Sequence, residues 1–367
     1  MTIRFALCGA AAGAMTAGAG ALNTVSADTL NVFNWSDYIA EDTIERFEEE
    51  TGISVNYDVY DSNSVVESRL MAGQSGYDIV VPTAVPYFSR QVAADVYQPL
   101  DRDRLTNWDN LDPDLMARVE RADPGNQHGI IYMWGTNGFG YNVEAIEERM
   151  PDAPVDSLDM VFDPEVMANF ADCGVSFLDD ASEVIPMVLN YLGHDPYAED
   201  EDALAEAEDL LMELRENVRY FHSSQYINDL ANGEICLAIG WSGDVFQARD
   251  RAAEAGQDFT IDYTIPDEGT ILWFDMMAIP ADAPNPDAAH EFIDFILRPD
   301  VIADITNYVV YANPNPASLE YVEEDIVNDP AVFPPQEVQD RLFAAEEVSP
   351  GFERLRTRTW TRVRTGQ

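Results

Sequence analysis

The feature that most restricts the fold is an alternation of short apolar strands with amphipathic helices, which starts near residue 30. The first predicted helix begins at a capping box of Asp42 and Glu45 and ends at Gly52. Strands joined by helices predict a parallel sheet that is covered on both faces, with binding loops at the carboxyl ends of the strands. The predicted strands of this first unit are residues 30–35, 53–60 and 77–82.

The same alternation returns further along the chain and predicts a second α/β unit. Its strands are expected within residues 129–134, 217–221 and 234–241, with an acid-rich amphipathic helix over residues 199–217. A chain of 367 residues is long for one domain. No Gly/Ser-rich linker separates the two units. We therefore expect two closely joined α/β lobes.

Residues 1–27 have the composition of an export signal. Arg4 precedes a stretch of small apolar residues without an acid, and Val25-Ser26-Ala27 fits the small-x-small cleavage rule. We predict cleavage after Ala27 and an exported protein. Lipid attachment at Cys8 is rejected, because too short an apolar run precedes it. No later stretch approaches the length of a membrane span, so no membrane insertion is expected.

The net charge is extreme, with 68 acidic residues against 20 basic ones and a formal total of −48. Nucleic acid and anionic membranes are poor partners for such a surface. Long-range attraction of a cationic ligand is one interpretation, but salt at 1 M screens charges within about 3 Å. We interpret the charge as an adaptation of solubility to saline surroundings, and expect ligand recognition to depend on local contacts.

Catalytic and metal-binding signatures are sparse. The four histidines do not form HExxH, and the sequence contains no GxSxG, P-loop or GxGxxG motif. Residues 101–112 carry alternating acids but lack the glycine and the closing glutamate of an EF-hand loop. We therefore expect no enzyme, no metal and no cofactor. Removal of residues 1–27 leaves Cys173 and Cys236, which either pair in an oxidising compartment or lie apart as buried thiols.

Acidic and aromatic residues recur together at predicted strand ends. Each has an ordinary structural explanation as a turn residue, a helix cap or a core ring. As a set they fit a ligand with cationic ends and an apolar middle, such as a diamine, because rings attract ammonium groups and carboxylates bind them. The members are Trp35 with Asp37 and Tyr38, Trp241 with Asp244, Trp273 with Asp275, and the separate Glu183 and Tyr311.

Stretches such as "FNWSDY", "HSSQYINDLANG" and "LWFDMMAIP" resemble the periplasmic polyamine-binding proteins of ABC transporters, most closely the putrescine-binding branch. The resemblance spans the mature chain. It implies a two-lobed periplasmic-binding-protein fold, each lobe a mainly parallel sheet flanked by helices, with the ligand cleft between them. It also implies a monomer that closes on putrescine or a related polyamine and docks on a membrane permease. The implied lobes are residues 28–131 plus 251–299, and residues 132–250 plus 300–367.

Particular site residues follow from this resemblance. Asp180 and Trp273 match the spermidine-preferring relatives instead, so a longer ligand with a third amine remains an alternative to putrescine. Val85 and Pro86 match neither branch, and Thr83 stands where the family usually has Ser. The resemblance also implies a Cys173–Cys236 disulfide. The implied ligand-binding residues are Trp35, Ser36, Asp37, Tyr38, Thr83, Asp180, Glu183, Ser224, Trp241, Asp244, Trp273, Asp275 and Tyr311.

Two alternatives remain. A receptor for another organic cation, such as thiamine or a guanidino compound, would use the same aromatic set. An exported hydrolase would use Asp37 or Glu183 as acid and base, and would need two carboxylates at catalytic separation beside an open water site.

Overall fold

The computed structural model describes residues 29–367, and the predicted signal segment, with its cleavage after Ala27, lies outside the described residues. The fold is a two-lobed α/β structure. Its strands are β1 (Thr29–Trp35), β2 (Ser54–Tyr60), β3 (Ile79–Val80), β4 (Gly129–Asn142), β5 (Val175–Phe177), β6 (Val218–Phe221), β7 (Leu237–Trp241), β8 (Ile261–Thr264), β9 (Ile271–Ala278) and β10 (Phe343–Ala344).

Helices cover both sheets. Those that follow the first strands are α1 (Thr43–Thr51), α2 (Asn63–Met71), α3 (Ser89–Ala93), α4 (Pro113–Arg118), α5 (Val143–Arg149), α6 (Asp159–Phe162), α7 (Pro164–Met167) and α8 (Ala181–Tyr191). The later ones are α9 (Glu201–Leu214), α10 (Gln225–Ala231), α11 (Ser242–Glu254), α12 (Pro286–Ile296), α13 (Pro299–Val309), α14 (Glu324–Val327), α15 (Gln336–Gln339) and α16 (Pro350–Thr365).

The first sheet has the order β2-β1-β3-β9-β4. β1 pairs in parallel with both β2 and β3, which confirms the βαβαβ unit predicted from the sequence. Helix α1 ends at Gly52, whose φ of 73° is left-handed, as predicted. The side chain of Asp42 makes no capping hydrogen bond, so the predicted capping box is wrong. Phe47 on α1 is fully buried and packs edge-on against Phe292 at 5.1 Å between ring centroids.

The second sheet continues the order as β4-β7-β5-β6. β5, which was not among the predicted strands, pairs in parallel with β6 and with β7, and both of those strands were predicted. Cys173 and Cys236 precede β5 and β7, and form the disulfide that the resemblance implied, with their Cα atoms 5.5 Å apart. No helix within residues 29–367 combines the length and apolar character needed to cross a membrane.

β4 joins the two sheets. Residues 129–136 of β4 pair with β9, whereas residues 137–142 pair with β7 or β8, all antiparallel. The prediction of mainly parallel sheets therefore holds for the outer strands but not for the strands where the two sheets meet. Their close pairing requires Gly138, because a Cβ atom there would lie 2.2 Å from the Thr264 carbonyl oxygen.

These pairings bear on the lobe boundaries, which stay a prediction. β8 pairs with the second-sheet part of β4, and β9 pairs with the first-sheet part. The predicted boundary at residue 251 would divide α11. The pairings favour crossings near residue 136 and between residues 264 and 271.

Candidate functional site

A small cavity, with a volume of about 30 Å³, lies between the two sheets and is lined by residues from both. The carboxyl end of β1 and the loop after β3 contribute from the half of the molecule that contains the first sheet, called the first half. The end of β7 and the first turns of α8 and α11 contribute from the half that contains the second sheet, called the second half. The lining residues are Trp35, Ser36, Tyr38, Asp61, Thr83, Glu183, Ser223, Trp241, Asp244, Trp273, Asp275 and Tyr311.

Asp275 lies on β9 and its side chain is almost completely buried. The Thr83 hydroxyl donates to one carboxylate oxygen at 2.7 Å, and the Tyr38 hydroxyl donates to the other at 2.9 Å. Burial raises the pKa of Asp275 to about 7, an effect that these two hydrogen bonds only partly oppose. The sequence predicted an acid at a strand end, but Asp275 lies inside the strand.

Asp244 occupies the first turn of α11, just after β7 ends at Trp241. It is also held by two hydroxyls, from Tyr226 at 2.8 Å and from Tyr311 at 2.6 Å. Burial raises its pKa to about 6, and the nearby Asp37 carboxylate adds to the rise. Burial likewise raises the pKa of Tyr226 and Tyr311, so both remain hydrogen-bond donors.

Glu183 is the third buried carboxylate that lines the cavity, and it lies in the first turn of α8. The Asn137 side-chain amide donates to Glu183 at 2.5 Å. Burial raises the pKa of Glu183 to about 8, and the negative charge of Asp180 contributes to the rise. A neutral amide orients this carboxyl group without neutralising it.

Aromatic rings surround these acids. Trp35 from β1 and Trp241 from β7 meet across the halves with 5.7 Å between ring centroids, and the Trp35 indole nitrogen donates to the Val81 carbonyl at 2.8 Å. Trp273 lies edge-on to Tyr311 at 5.3 Å. Gly135 on the neighbouring strand makes room for this indole, since a Cβ atom there would lie 2.7 Å from the Trp273 ring.

Most of the residues that the resemblance implied line this cavity, but three do not. Asp37 has a left-handed φ of 55°, and its exposed carboxylate forms an ion pair with Arg251 at 2.6 Å. Ser224 precedes α10, and its neighbour Ser223 lines the cavity instead. Asp180 caps the N-terminus of α8. A direct contact of Asp37 with a ligand ammonium is therefore not what the geometry favours.

Four residues of the site were missed by the sequence reasoning. Asp61 and Ser223 line the cavity, and Tyr226 and Asn137 hold two of its acids. Asp61 follows directly after β2, so the same rule of an acid after a strand could have found it. Asn137 lies inside a buried strand, where no local pattern marks it.

The chemistry of the cavity favours cations. Three carboxyl groups share a buried space, and in each the raised pKa reflects the cost of an unpaired buried charge. The described residues contain no group of three or more histidine, cysteine or acidic side chains arranged to hold a metal ion. The buried carboxyl groups fit an organic cation with separated charges, because ammonium groups form charge-assisted hydrogen bonds with carboxylates.

Comparisons with known proteins agree with this geometry. The profile of the family described as bacterial extracellular solute-binding protein matches residues 42–334. The chain is 49% identical to the putrescine-binding periplasmic protein of Escherichia coli (strain K12), covering 98% of both chains. It is 41% identical to a putrescine/agmatine-binding protein of Pseudomonas aeruginosa, covering 92% of both. The spermidine/putrescine ABC transporter substrate-binding protein of Streptococcus pneumoniae superposes with a TM-score of 0.74 at 27% identity, over 92% of this chain and 99% of that one.

Proposed function

The chain belongs to the bacterial extracellular solute-binding protein family, and from that premise we propose that it captures putrescine or a related linear polyamine for an ABC transporter. The relatives named above carry the words putrescine-binding, putrescine/agmatine-binding and spermidine/putrescine in their names. Relatives of this kind bind and deliver solutes, and the proposal includes no chemical reaction.

The observation that carries the proposal is the meeting of Asp275, Asp244 and Glu183 in one aromatic-lined cavity. An ammonium at each end of a diamine replaces the solvation that burial has removed from the carboxylates, through charge-assisted hydrogen bonds. The rings of Trp35 and Trp241 cover the methylene groups between the two ends and attract the cationic ends as well.

Binding by closure of two lobes follows from where the contacts originate. Asp275 and Thr83 belong to the first sheet and its loops, whereas Asp244 and Glu183 belong to helices of the second. A ligand that bridges both sets stabilises the closed state more than the open one. We propose that β4 and the segment between β8 and β9 form the hinge. The two lobes are those that the resemblance implied, with their boundaries moved to near residue 136 and to the segment between residues 264 and 271.

The cellular setting is part of the proposal. We propose a periplasmic monomer that is exported through residues 1–27 and docks in its closed form on the permease subunits of an ABC transporter. The periplasmic names of the relatives support the compartment. A Cys173–Cys236 disulfide is consistent with an oxidising location.

The alternatives make different demands on the site. A guanidino ligand such as agmatine is favoured by the name of one relative and would place a planar group between the rings. A hydrolase that uses Asp37 as its acid or base is disfavoured, because Asp37 pairs with Arg251 outside the cavity.

Calorimetric titration of the mature chain with putrescine, cadaverine, agmatine and spermidine tests the proposal. We expect 1:1 binding of putrescine with a Kd in the micromolar range or tighter, roughly −8 kcal/mol. Thermal unfolding with each ligand should rank the ligands in the same order. The absence of binding by any linear amine would refute the proposal, and turnover of the ligand, followed by mass spectrometry, would favour the hydrolase.

A further inference from the structure

Asn63 is a buried asparagine beside the cavity, and its hydrogen bonds leave only one orientation for its amide group. It is the first residue of α2, is only 2% exposed and does not line the cavity itself. Its side-chain oxygen accepts from the Thr83 backbone N–H at 3.0 Å, and its side-chain nitrogen lies 2.9 Å from the Thr83 hydroxyl. Because a backbone N–H can only donate, the amide nitrogen must face the hydroxyl and donate to it.

The direction of the Thr83 hydroxyl follows from this orientation. Its oxygen accepts from Asn63, and a hydroxyl has a single proton to donate. That proton is donated to the Asp275 carboxylate at 2.7 Å. Thr83 lines the cavity, and one lone pair of its oxygen remains for a ligand. Toward a ligand, Thr83 is therefore an acceptor only, as the Asp275 carboxylate is.

This chain of hydrogen bonds also acts on the charge of Asp275. Each donor in such a chain polarises the next one, so the Asn63 amide strengthens the bond that Thr83 donates. A hydrogen bond to the ionised form of a carboxyl group favours ionisation. Burial raises the pKa of Asp275 to about 7, and the bonds from Thr83 and Tyr38 oppose that rise. Asn63 therefore affects the fraction of Asp275 that is ionised when a ligand arrives.

Resting on the proposed function, we propose that Asn63 is a positioning residue for polyamine binding, which fixes the Thr83 hydroxyl as a donor to Asp275 so that both side chains accept from one ammonium of the ligand. A primary ammonium has three N–H donors, enough to bind both acceptors. Asn63 acts through Thr83 alone, because it has no surface in the cavity. The residues of this chain are 20 and 192 positions apart in the sequence, so it exists only in the folded protein.

The first test is a double-mutant cycle of putrescine binding at pH 6. Asn63→Leu removes the amide and keeps a side chain of similar size, whereas Thr83→Val removes the hydroxyl and keeps the shape. We expect Asn63→Leu to weaken binding by about threefold to tenfold, and Thr83→Val by about tenfold or more. The double variant should bind as Thr83→Val does, because no hydroxyl is left to orient. Should Asn63→Leu not fold, Asn63→Ala takes its place.

The pH dependence separates this role from a merely structural one. Loss of the Asn63 amide should raise the pKa of Asp275, and the ligand binds the ionised carboxylate. The ratio of the Asn63→Leu Kd to the wild-type Kd should therefore fall by about threefold from pH 6 to pH 8.5, where Asp275 is ionised in both proteins. The other titratable groups that face Asp275 are unchanged in the variant, and they are Tyr38, Tyr60, Tyr132, Glu183 and Asp244.

Asn313→Leu is the matched control. Asn313 is also buried, its amide nitrogen donates to the Thr306 hydroxyl at 2.9 Å, and its amide oxygen accepts from the Asn315 backbone N–H at 2.8 Å. None of these three residues lines the cavity. Asn313→Leu should lower the midpoint of thermal unfolding, as Asn63→Leu does, but should leave the Kd ratio the same at both pH values.

NMR titration of the Asp275 carboxyl carbon in the ligand-free protein separates the two proposals. Its midpoint should rise by about 0.5 pH unit in Asn63→Leu, and the double variant should match Thr83→Val. An unchanged midpoint, a loss of affinity that is equal at pH 6 and pH 8.5, or additive losses in the double variant would each overturn the role of Asn63 and leave the proposed function intact. If wild type bound no linear amine while the midpoint rose as expected, the proposed function would fall and the orienting effect of Asn63 on Asp275 would stand.

Discussion

Asp244 and Asp275 are each held by two hydroxyl groups, and this choice of partner matters for binding. Hydroxyls orient a carboxylate without cancelling its charge, whereas an arginine would neutralise it. The tyrosines keep their protons, because burial and the neighbouring acids raise the pKa of Tyr38 and Tyr311. Each carboxylate has further lone pairs for an ammonium. The geometry of the acids is therefore fixed in advance while their charge stays available, which reduces the ordering cost of binding.

Replacement of Asp244 by asparagine tests that arrangement. Asp244→Asn keeps the shape and the partners from Tyr226 and Tyr311 but removes the charge, so putrescine affinity should fall by about 2–5 kcal/mol. Asp37→Asn is the matched control, since Asp37 forms an exposed ion pair with Arg251, and such pairs contribute about 0.2–1 kcal/mol. Calorimetry measures both. A larger loss in Asp37→Asn would mean that Asp37 contacts the ligand after all.

At the scale of elements, the acids of the second half share a location at helix N-termini. Glu183 and Asp244 lie in the first turns of α8 and α11, where the unpaired backbone N–H groups favour negative charge. β7 ends directly before α11, so its carboxyl end opens onto the cavity. The βα connections therefore determine where the binding residues lie. The aromatic rings of the cavity need only small residues opposite them, such as Gly135.

The sequence predicted the elements better than their connections. Alternating apolar runs identified β1, β2 and β7, because burial patterns are local. The extension of β4 to Asn142 was missed, because residues 135–142 are interrupted by three glycines that are needed only where other elements approach closely, as at Gly138. In the same way, Arg251 forms the ion pair with Asp37 although the two residues are 214 positions apart in the sequence. Contacts of that kind depend on tertiary packing, which no window of sequence contains.

The disulfide between Cys173 and Cys236 should stabilise the second half. Closure of a loop with a sequence separation of 63 residues contributes about 4 kcal/mol in the chain-entropy model. Denaturant unfolding of the Cys173→Ser/Cys236→Ser variant should show a loss of that order, and the reduced wild type should match it. Neither cysteine lines the cavity, so putrescine affinity should change by less than about threefold. A large loss of affinity without a loss of stability would contradict this account.

At the scale of the whole molecule, the surface charge and the cavity charge act differently. The formal net charge of −48 is spread over a surface that salt screens. The carboxyl groups of Asp244, Asp275 and Glu183 are buried, and buried charges are screened much less. Added salt should therefore stabilise the protein by reducing repulsion on its surface, and putrescine affinity should depend weakly on salt but strongly on pH.

The pH dependence follows from the raised pKa values of the three acids. Burial raises the pKa of Asp244 to about 6, of Asp275 to about 7 and of Glu183 to about 8, against about 4 in an unfolded chain. Between about pH 4 and about pH 8, the folded, ligand-free protein therefore binds more protons than the unfolded chain. The stability that these groups contribute is fully present below about pH 4, and it is lost as pH rises from about 4 through the folded-state pKa values of about 6, 7 and 8.

A diamine reverses that loss, because its ammonium groups stay charged up to about pH 10 and favour the ionised carboxylates. Putrescine affinity should rise by about tenfold or more from pH 5.5 to pH 8, with protons released on binding. Calorimetry at pH 6.5 in two buffers of different ionisation enthalpy measures the protons directly, and Asp244→Asn should release fewer than wild type. Because the ligand-free state weakens over the same range, the thermal stabilisation by saturating putrescine should also grow with pH. An affinity that stays constant from pH 5.5 to pH 8 without proton release would mean that the acids are already ionised in the empty cavity.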